Sequence, residues 1–587
     1  MTGTRATLIK GSGLLTAAMG LSFGFVALPS ITGPASVPAA VPARNTPVTP
    51  GTTTHPLNGA PQTSVAAAGP QTKVIDQATL PRDKDGKVVM PAGKVALDPA
   101  LEAGQADDTV VDLAATGDLV GITWPASTTV APRATVAVRA KNDQGWQDWQ
   151  ELTVDAVRDQ RTGTVRKYGT DPLWVDGATR VQIRVAPEAK ALLRTASLAA
   201  ITSPTTAADA QLTPQATPGA ASAAYAPGYI SRAGWGANES LRKGCVPTIN
   251  PTTQVVVVHH TAGTNGYTAA QSASILRGIY AYDTNSLGWC DVAYNMVVDK
   301  YGQKFEGRYG GLNRPVKGAH ADSFNTRTFG ISILGNYDVA SVPSAGMWAL
   351  KQGIAMRLSQ FYINPYGKTT MYSEYNGTTS RFPKGAAYYA NNIAGHRESS
   401  YTACPGRYLY PRLGELRTGA AALAGWTGSG YNSPIYKRYV AGGGAAKYGY
   451  VNVGESLVSG MQRTAFTSGR FFYSTPAGVK IIGPGINTTW MGLGGWTWAG
   501  YPTTDEVSTA NGWYVHFSRG ITVTSNRSGL RSYTGGAIRG YWLKRGGMWG
   551  SLGAPTAAMQ TIPGGWQQQF AGGLIKADRA TGAVWLA

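Results

Sequence analysis

The chain has 587 residues, 43% of them apolar and only 14% charged, against a usual charged share of about 25%. Glycine accounts for 75 residues, nearly twice the ~7% norm, which excludes long helical bundles and coiled coils and favours strands and turns. Fifty-two Lys and Arg against 32 Asp and Glu leave +20, a balance that expects an anionic partner such as nucleic acid, anionic lipid or an acidic polymer. At roughly 100–200 residues per domain, three or four folded units are expected.

Residues 1–40 read as an export signal. Arg5 and Lys10 open it, an apolar run follows from Gly13 to Leu28, and Pro29 precedes small residues where a peptidase can cut. That run is short of the ~20 residues a bilayer span needs. With no second run of this kind, the mature chain is predicted to be secreted and to lack a transmembrane anchor. Segments 41–72 and 203–226 are rich in Pro, Thr, Ala and Gly; with few bulky apolar residues to offset ordering entropy, both read as linkers. Between them, 73–202 shows strand alternation, with Val136 and Val138 on one face and Val181, Ile183 and Val185 on another. A β-sandwich accessory domain is predicted, with Trp124, Trp146, Trp149 and Trp174 as core candidates.

Residues 227–425 carry the chemistry. Gln254–His260 (QVVVVHH) has the pattern of a buried strand ending in two histidines. Gly395-His396-Arg397 follows much later, and Cys404-Pro405-Gly406 comes eight residues after His396. Two imidazoles and a thiolate suit a tetrahedral zinc site that keeps one position open, the catalytic pattern. Successive strand residues point to opposite faces, so only one of His259 and His260 can reach the ion, and the pattern alone does not choose between them. Pro405 suits the first residue of a helical turn, which would set Cys404 at a helix N-terminus, where the dipole favours thiolate. In an exported chain, Cys245 and Cys290 are expected to pair, closing a loop of about 45 residues for about 3–4 kcal/mol in the chain-entropy model. The rival reading makes one of them a fourth zinc ligand.

Four segments, VVVVHHTAG (255–263), GWCDVAYNMVVDKYGQKFEGR (288–308), GAHADSFNTRTFGISILGNYD (318–338) and AGHRESSYTACPGRYLYPRL (394–413), resemble the peptidoglycan recognition protein and type 2 N-acetylmuramoyl-L-alanine amidase family, in the family's order and over about a third of the chain. The resemblance implies an α/β domain with a mixed central sheet and flanking helices. It implies Zn2+ held by His260, His396 and Cys404, with His259 turned into the core or standing just behind the ligands. It places the catalytic tyrosine at Tyr294 and a second oxyanion stabiliser at Thr402, where some family members carry Lys, and it puts His320 and Glu306 near the substrate groove. The activity it implies is hydrolysis of the lactyl-L-alanine amide of peptidoglycan. The alternatives are a non-catalytic peptidoglycan-binding protein and a wall-interaction protein whose amidase is vestigial.

The last segment, 431–587, repeats. Phe466, Phe517 and Phe570 stand 51 and 53 residues apart, each three residues before a glycine, and Gly449, Gly500 and Gly553 keep the same register. A β-rich array of three units built from short strands and Gly turns is expected. Its fragments WAGYPTTDE and SLGAPTAAM resemble the LGFP repeat of bacterial cell-wall proteins. With 14 Lys/Arg against 4 Asp/Glu, +10 of the net charge lies here, as do eight of 16 Trp. Cations beside aromatics suit an anionic wall polysaccharide, which explains the charge of an exported chain without nucleic acid. Cell-wall association follows.

Overall fold

The computed structural model describes residues 46–58, 62–63, 108–128, 136–158, 164–212, 227–377, 379–427, 430–458 and 460–587. The candidate export signal lies outside the described residues. Among those described, no helix is long and apolar enough to cross a membrane.

The first unit is a ten-stranded antiparallel sheet: β1 Gly51–Pro56, β2 Gln62–Thr63, β3 Asp108–Pro125, β4 Val136–Asn142, β5 Gly145–Trp146, β6 Gln150–Leu152, β7 Val154–Arg158, β8 Val165–Thr170, β9 Leu173–Val185 and β10 Ser197–Thr202. β3 is long enough to pair with β2, β8, β9 and β10 at different points of its length. Val136, Val138, Val181 and Ile183 are buried in one core, as their alternation requires. The residues between them are buried as well. Arg184 grips Asp108 through Nε and Nη2 at 2.8 Å each, and Gln182 donates to the same carboxylate at 3.0 Å.

Two linker expectations change. Gly51–Pro56, inside the expected first linker, pairs with β10 from Gly51↔Thr202 to Pro56↔Ser197; threonines have high strand propensity and an edge strand gains its bonds from main chain alone. Within the second, Ala207–Gln211 forms a 3₁₀ turn whose buried Asp209 takes Arg277 at 2.9 and 2.7 Å, a pairing no composition argument detects. The tryptophans divide. Trp124 joins the sheet core, Trp174 packs against the next domain, Trp149 carries the guanidinium groups of Arg139 and Arg184 over its ring, and Trp146 is exposed.

The second unit contains β11 Val255–His260, α1 Gln271–Ala281, β12 Met296–Val298, β13 Lys304–Glu306, β14 Thr328–Ile333, α2 Ser344–Phe361, β15 Lys368–Tyr372, β16 Ala387–Asn391, β17 Ile393–Gly395 and α3 Leu413–Ala424. The sheet order is β13-β12-β14-β11-β17. β11 runs parallel to β14 and β17, β12 parallel to β14, and β13 antiparallel to β12. Covered on both faces, β11 is apolar without alternation, as a central parallel strand must be. Val256 and Val258 pack with α2 and α3, whereas Val255 and Val257 face Phe324 and Met371 on the other side. Cys245 and Cys290 are joined in a disulfide.

The C-terminal segment holds three four-stranded antiparallel sheets: strands within Val451–Ile482, Val507–Thr534 and Gln560–Leu586. Gly449, Gly500 and Gly553 all take positive φ, at 71°, 77° and 63°, so the repeated glycine answers a repeated backbone requirement. Short helices were not expected here. They precede each sheet (Pro434–Ala441 and Gly444–Tyr448, Pro484–Gly492 and Gly495–Ala499, Gly536–Lys544), and Trp490 and Trp542 on them are fully buried. The first repeat is not separate from the second unit: Ile435, Tyr439, Phe466 and Phe472 share a core with Leu350, Ile354 and Phe361 of α2.

Candidate metal centre

The centre forms at the C-terminal end of β11, where the strand alternation decides which histidine serves. His259 continues the face of Val255 and Val257, and His260 the face of Val256 and Val258. The ligand atoms of His259, His396 and Cys404 lie within 4.8 Å of one another, and all three residues are buried. His259 Nδ1 stands 3.6 Å from Cys404 Sγ, and its ring centroid is 4.6 Å from that of His396.

The expectation that His260 joins the cluster is therefore corrected to His259. His260 lies on the helix-covered face. Its Nδ1 accepts the N–H of Tyr337 at 3.0 Å, so that nitrogen is already used, and its main-chain N–H donates to Cys404 Sγ at 3.4 Å. Burial lowers the pKa of His260, like that of His396, to about 3, and pushes His259 well below its ordinary value. All three imidazoles are neutral at pH 7, the form a metal requires.

Behind His259 stands His320, whose Nδ1 is 3.0 Å from His259 Nε2. With Nε2–H donating to His320, Nδ1 of His259 keeps its lone pair facing the cluster, the arrangement that orients metal-binding imidazoles. His320 Nε2 then reaches Thr328 Oγ1 at 3.5 Å. Two glycines make room for this ring: a Cβ on Gly318 or Gly330 would come within 2.4 Å of His320 Cδ2. His320, expected near the groove, is thus placed to position His259. Glu306 is not among the residues around the centre. It sits on β13, where its carboxylate accepts the Arg232 N–H at 3.4 Å, and burial raises its pKa.

Cys404 follows a different local structure from the one expected. Cys404, Pro405 and Gly406 form a turn, and helical structure resumes only with a 3₁₀ turn at Tyr410–Arg412 that leads into α3. No helix dipole acts on the thiol, and burial pushes its pKa well up. The donor set nevertheless fits zinc. His396 Nε2 is buried without a hydrogen-bond partner, a cost that a cation removes, and a thiol with two imidazoles is a borderline-soft set. Neither Cys245 nor Cys290 is available as a ligand, since they are bonded to each other.

Around the cluster lies a cavity of ≈ 40 Å³ whose lining includes Tyr294, His320, His396, Thr402 and Cys404. The Tyr294 ring is 5.2 Å from that of His259, and burial holds its pKa well above 10, so its hydroxyl keeps its proton. Thr402 Oγ1 accepts the Cys404 N–H at 3.1 Å. The other wall comes from the first unit and was not legible in the sequence: Thr153, Asp155 and Asp171 line the same cavity. Desolvation, with each carboxylate's neighbour adding to it, raises Asp155 to about 7 and Asp171 to about 8.

Peptidoglycan-recognition protein SC2 of Drosophila simulans is 31% identical over 189 residues, 32% of this chain and 84% of that protein. The chain belongs to the peptidoglycan recognition protein and N-acetylmuramoyl-L-alanine amidase family. Peptidoglycan recognition protein 1 of Bos indicus is 29% identical over 31% of this chain and 80% of that protein. The family model "N-acetylmuramoyl-L-alanine amidase" matches residues 250–407. Outside it, the model "Rv3811 N-terminal galactose-binding domain-like" matches 87–219, and the LGFP repeat model matches 500–550. Among solved structures, Drosophila PGRP-LB is similar at 22% identity and a TM-score of 0.24, over 32% of this chain and 91% of that one. This member of the family thus carries an amidase-type domain between a galactose-binding-like unit and LGFP repeats.

Proposed function

We propose that the chain is a secreted zinc-dependent N-acetylmuramoyl-L-alanine amidase that hydrolyses the amide between the lactyl group of muramic acid and L-alanine in peptidoglycan. The observation that carries this reading is the convergence of His259 with His396 and Cys404, from two segments far apart in the chain, with the Tyr294 ring beside them. Zinc bound by these three residues would supply Lewis acidity, polarising an amide carbonyl and bringing the pKa of water to about 7. The protein's own groups do the rest. His320 fixes the tautomer of His259. Tyr294, holding its proton at Oη, donates to the oxygen that gains charge as the carbonyl is attacked, a contribution worth about 100- to 1000-fold per donor. Thr402 Oγ1, which accepts the Cys404 N–H, would make a second such contact or pass a proton to the leaving amine. The products are the glycan strand and a free stem peptide.

The +10 charge and exposed aromatics of the repeats, among them Trp549 and Trp585, support retention on an anionic wall polymer. The test is release of stem peptide from purified sacculi by the zinc-loaded chain. The expected result is release that stops with Cys404→Ala. Binding to sacculi without release, at one zinc per chain, would favour a peptidoglycan-binding protein that does not cut.

A further inference from the structure

The ≈ 40 Å³ left around the metal cluster holds a few water molecules at roughly 10–15 Å³ each, whereas pockets that take even a small organic ligand run to about 300–1,000 Å³. The wall that closes it belongs to the galactose-binding-like unit. Thr153 Oγ1 is 3.4 Å from Thr402 Oγ1, both residues lining the cavity with His396 and Cys404, and Thr379 Oγ1 donates to Asp155 Oδ1 at 3.3 Å. Contacts continue around the rim: Asn336 Nδ2 donates to Gln150 Oε1 at 2.7 Å, Arg158 Nη2 to the Asn376 carbonyl at 2.8 Å, and Lys167 Nζ to the Ser286 carbonyl at 2.5 Å. Tyr282 Oη donates toward the Thr170 carbonyl at 3.0 Å. The fit depends on two bare strand positions. A Cβ at Gly121 would come within 2.3 Å of the Tyr282 ring, and one at Gly169 within 2.3 Å of Leu287 Cδ2. Neither glycine has positive φ, so the backbone does not require them, while close packing against the amidase-type domain does.

We propose that the N-terminal sheet unit is an intramolecular cover of the amidase site, and that a muramoyl-peptide reaches the metal centre only when this unit moves off it. This inference rests on the amidase reading of the site, and deepens it by adding its control. Cover and catalyst lie on one chain, so the closed state needs no second molecule. The face that leaves carries Gly121, Thr153, Asp155 and Gly169.

Cys404 is the chain's one free thiol, the other two cysteines being bonded to each other, and it lies under the cover. The experiment follows its labelling by a bulky maleimide in the full chain after chelator treatment, alongside stem-peptide release by the zinc-loaded chain. Gly169→Val should wedge the interface while a β-branched residue remains at home in β8. Arg158→Ala with Lys167→Ala loosens the same interface by removing rim contacts alone, and serves if the wedge impairs folding. Both variants are expected to label about tenfold faster or more than wild type, as a shift toward an open population requires, and to release stem peptide faster. Equal labelling rates in wild type and both folded variants would overturn the cover. So would slower release by the opened variants, since the sheet unit would then be completing the site. Faster labelling with no release from any variant would overturn the amidase reading and leave the cover standing.

Discussion

The assignment of His259 over its neighbour yields a paired test. His259→Ala removes one of the three donors that lie within 4.8 Å of one another, leaving two, and the bound zinc should be lost on gel filtration. His260→Ala removes an acceptor instead. The Tyr337 N–H now given to Nδ1 at 3.0 Å is left buried and unpaired, at a cost of about 1–3 kcal/mol. The methylene and ring atoms lost from a fully packed face add a cavity term. At roughly 2–4 °C per kcal/mol for a domain of this size, the melting temperature should fall by several degrees, with zinc retained. Metal content by atomic absorption and melting by calorimetry separate the two variants. If His260→Ala sheds the metal while His259→Ala keeps it, the strand-face argument is wrong.

His320→Ala should fold and bind zinc about 10- to 100-fold more weakly, the usual loss when an outer partner of a metal-binding imidazole is removed, measured by competition with a chelator. Tyr294→Phe should keep its zinc and lose about 100- to 1000-fold in turnover, read from stem-peptide release; unchanged turnover would dismiss the hydroxyl as an oxyanion donor. Glu455 joins the first repeat to the second unit, accepting from Tyr362 Oη and Ser433 Oγ at 2.7 Å each, and burial raises its pKa from 4.5 to about 7. Because the folded value lies above the unfolded one, its contribution to stability is full below about 4.5 and is lost as pH rises through 7. Glu455→Gln should flatten the fall in melting temperature between pH 5 and 9, and an identical slope in both proteins would count against it. Breaking the Cys245–Cys290 bond with Cys290→Ser should cost about 3–4 kcal/mol, seen in chemical denaturation.

Much of this protein was legible from residue order alone. An apolar run ending in two histidines fixed a buried central strand, because only a strand covered on both faces tolerates QVVVV without alternation. The 51- and 53-residue spacing fixed a threefold array, because each repeated glycine meets the same positive φ. The bonding of Cys245 to Cys290 followed from residue type and context. What required the folded chain was every question of which side a group faces and what lies across from it. His259 and His260 are equivalent in a one-dimensional pattern; they differ because helices α2 and α3 pack on the Val256 and Val258 face of β11, whereas the His259 imidazole meets His396 and Cys404. Cys404 lies in a turn rather than at a helix start, since the chain doubles back at Pro405-Gly406 before α3 begins. Thr153, Asp155 and Asp171 of the sheet unit line the same cavity as His396 and Cys404, although they stand more than 80 positions from His259. Local propensity is written in neighbouring residues, whereas burial, tautomer and access arise from contacts between segments that the sequence keeps far apart.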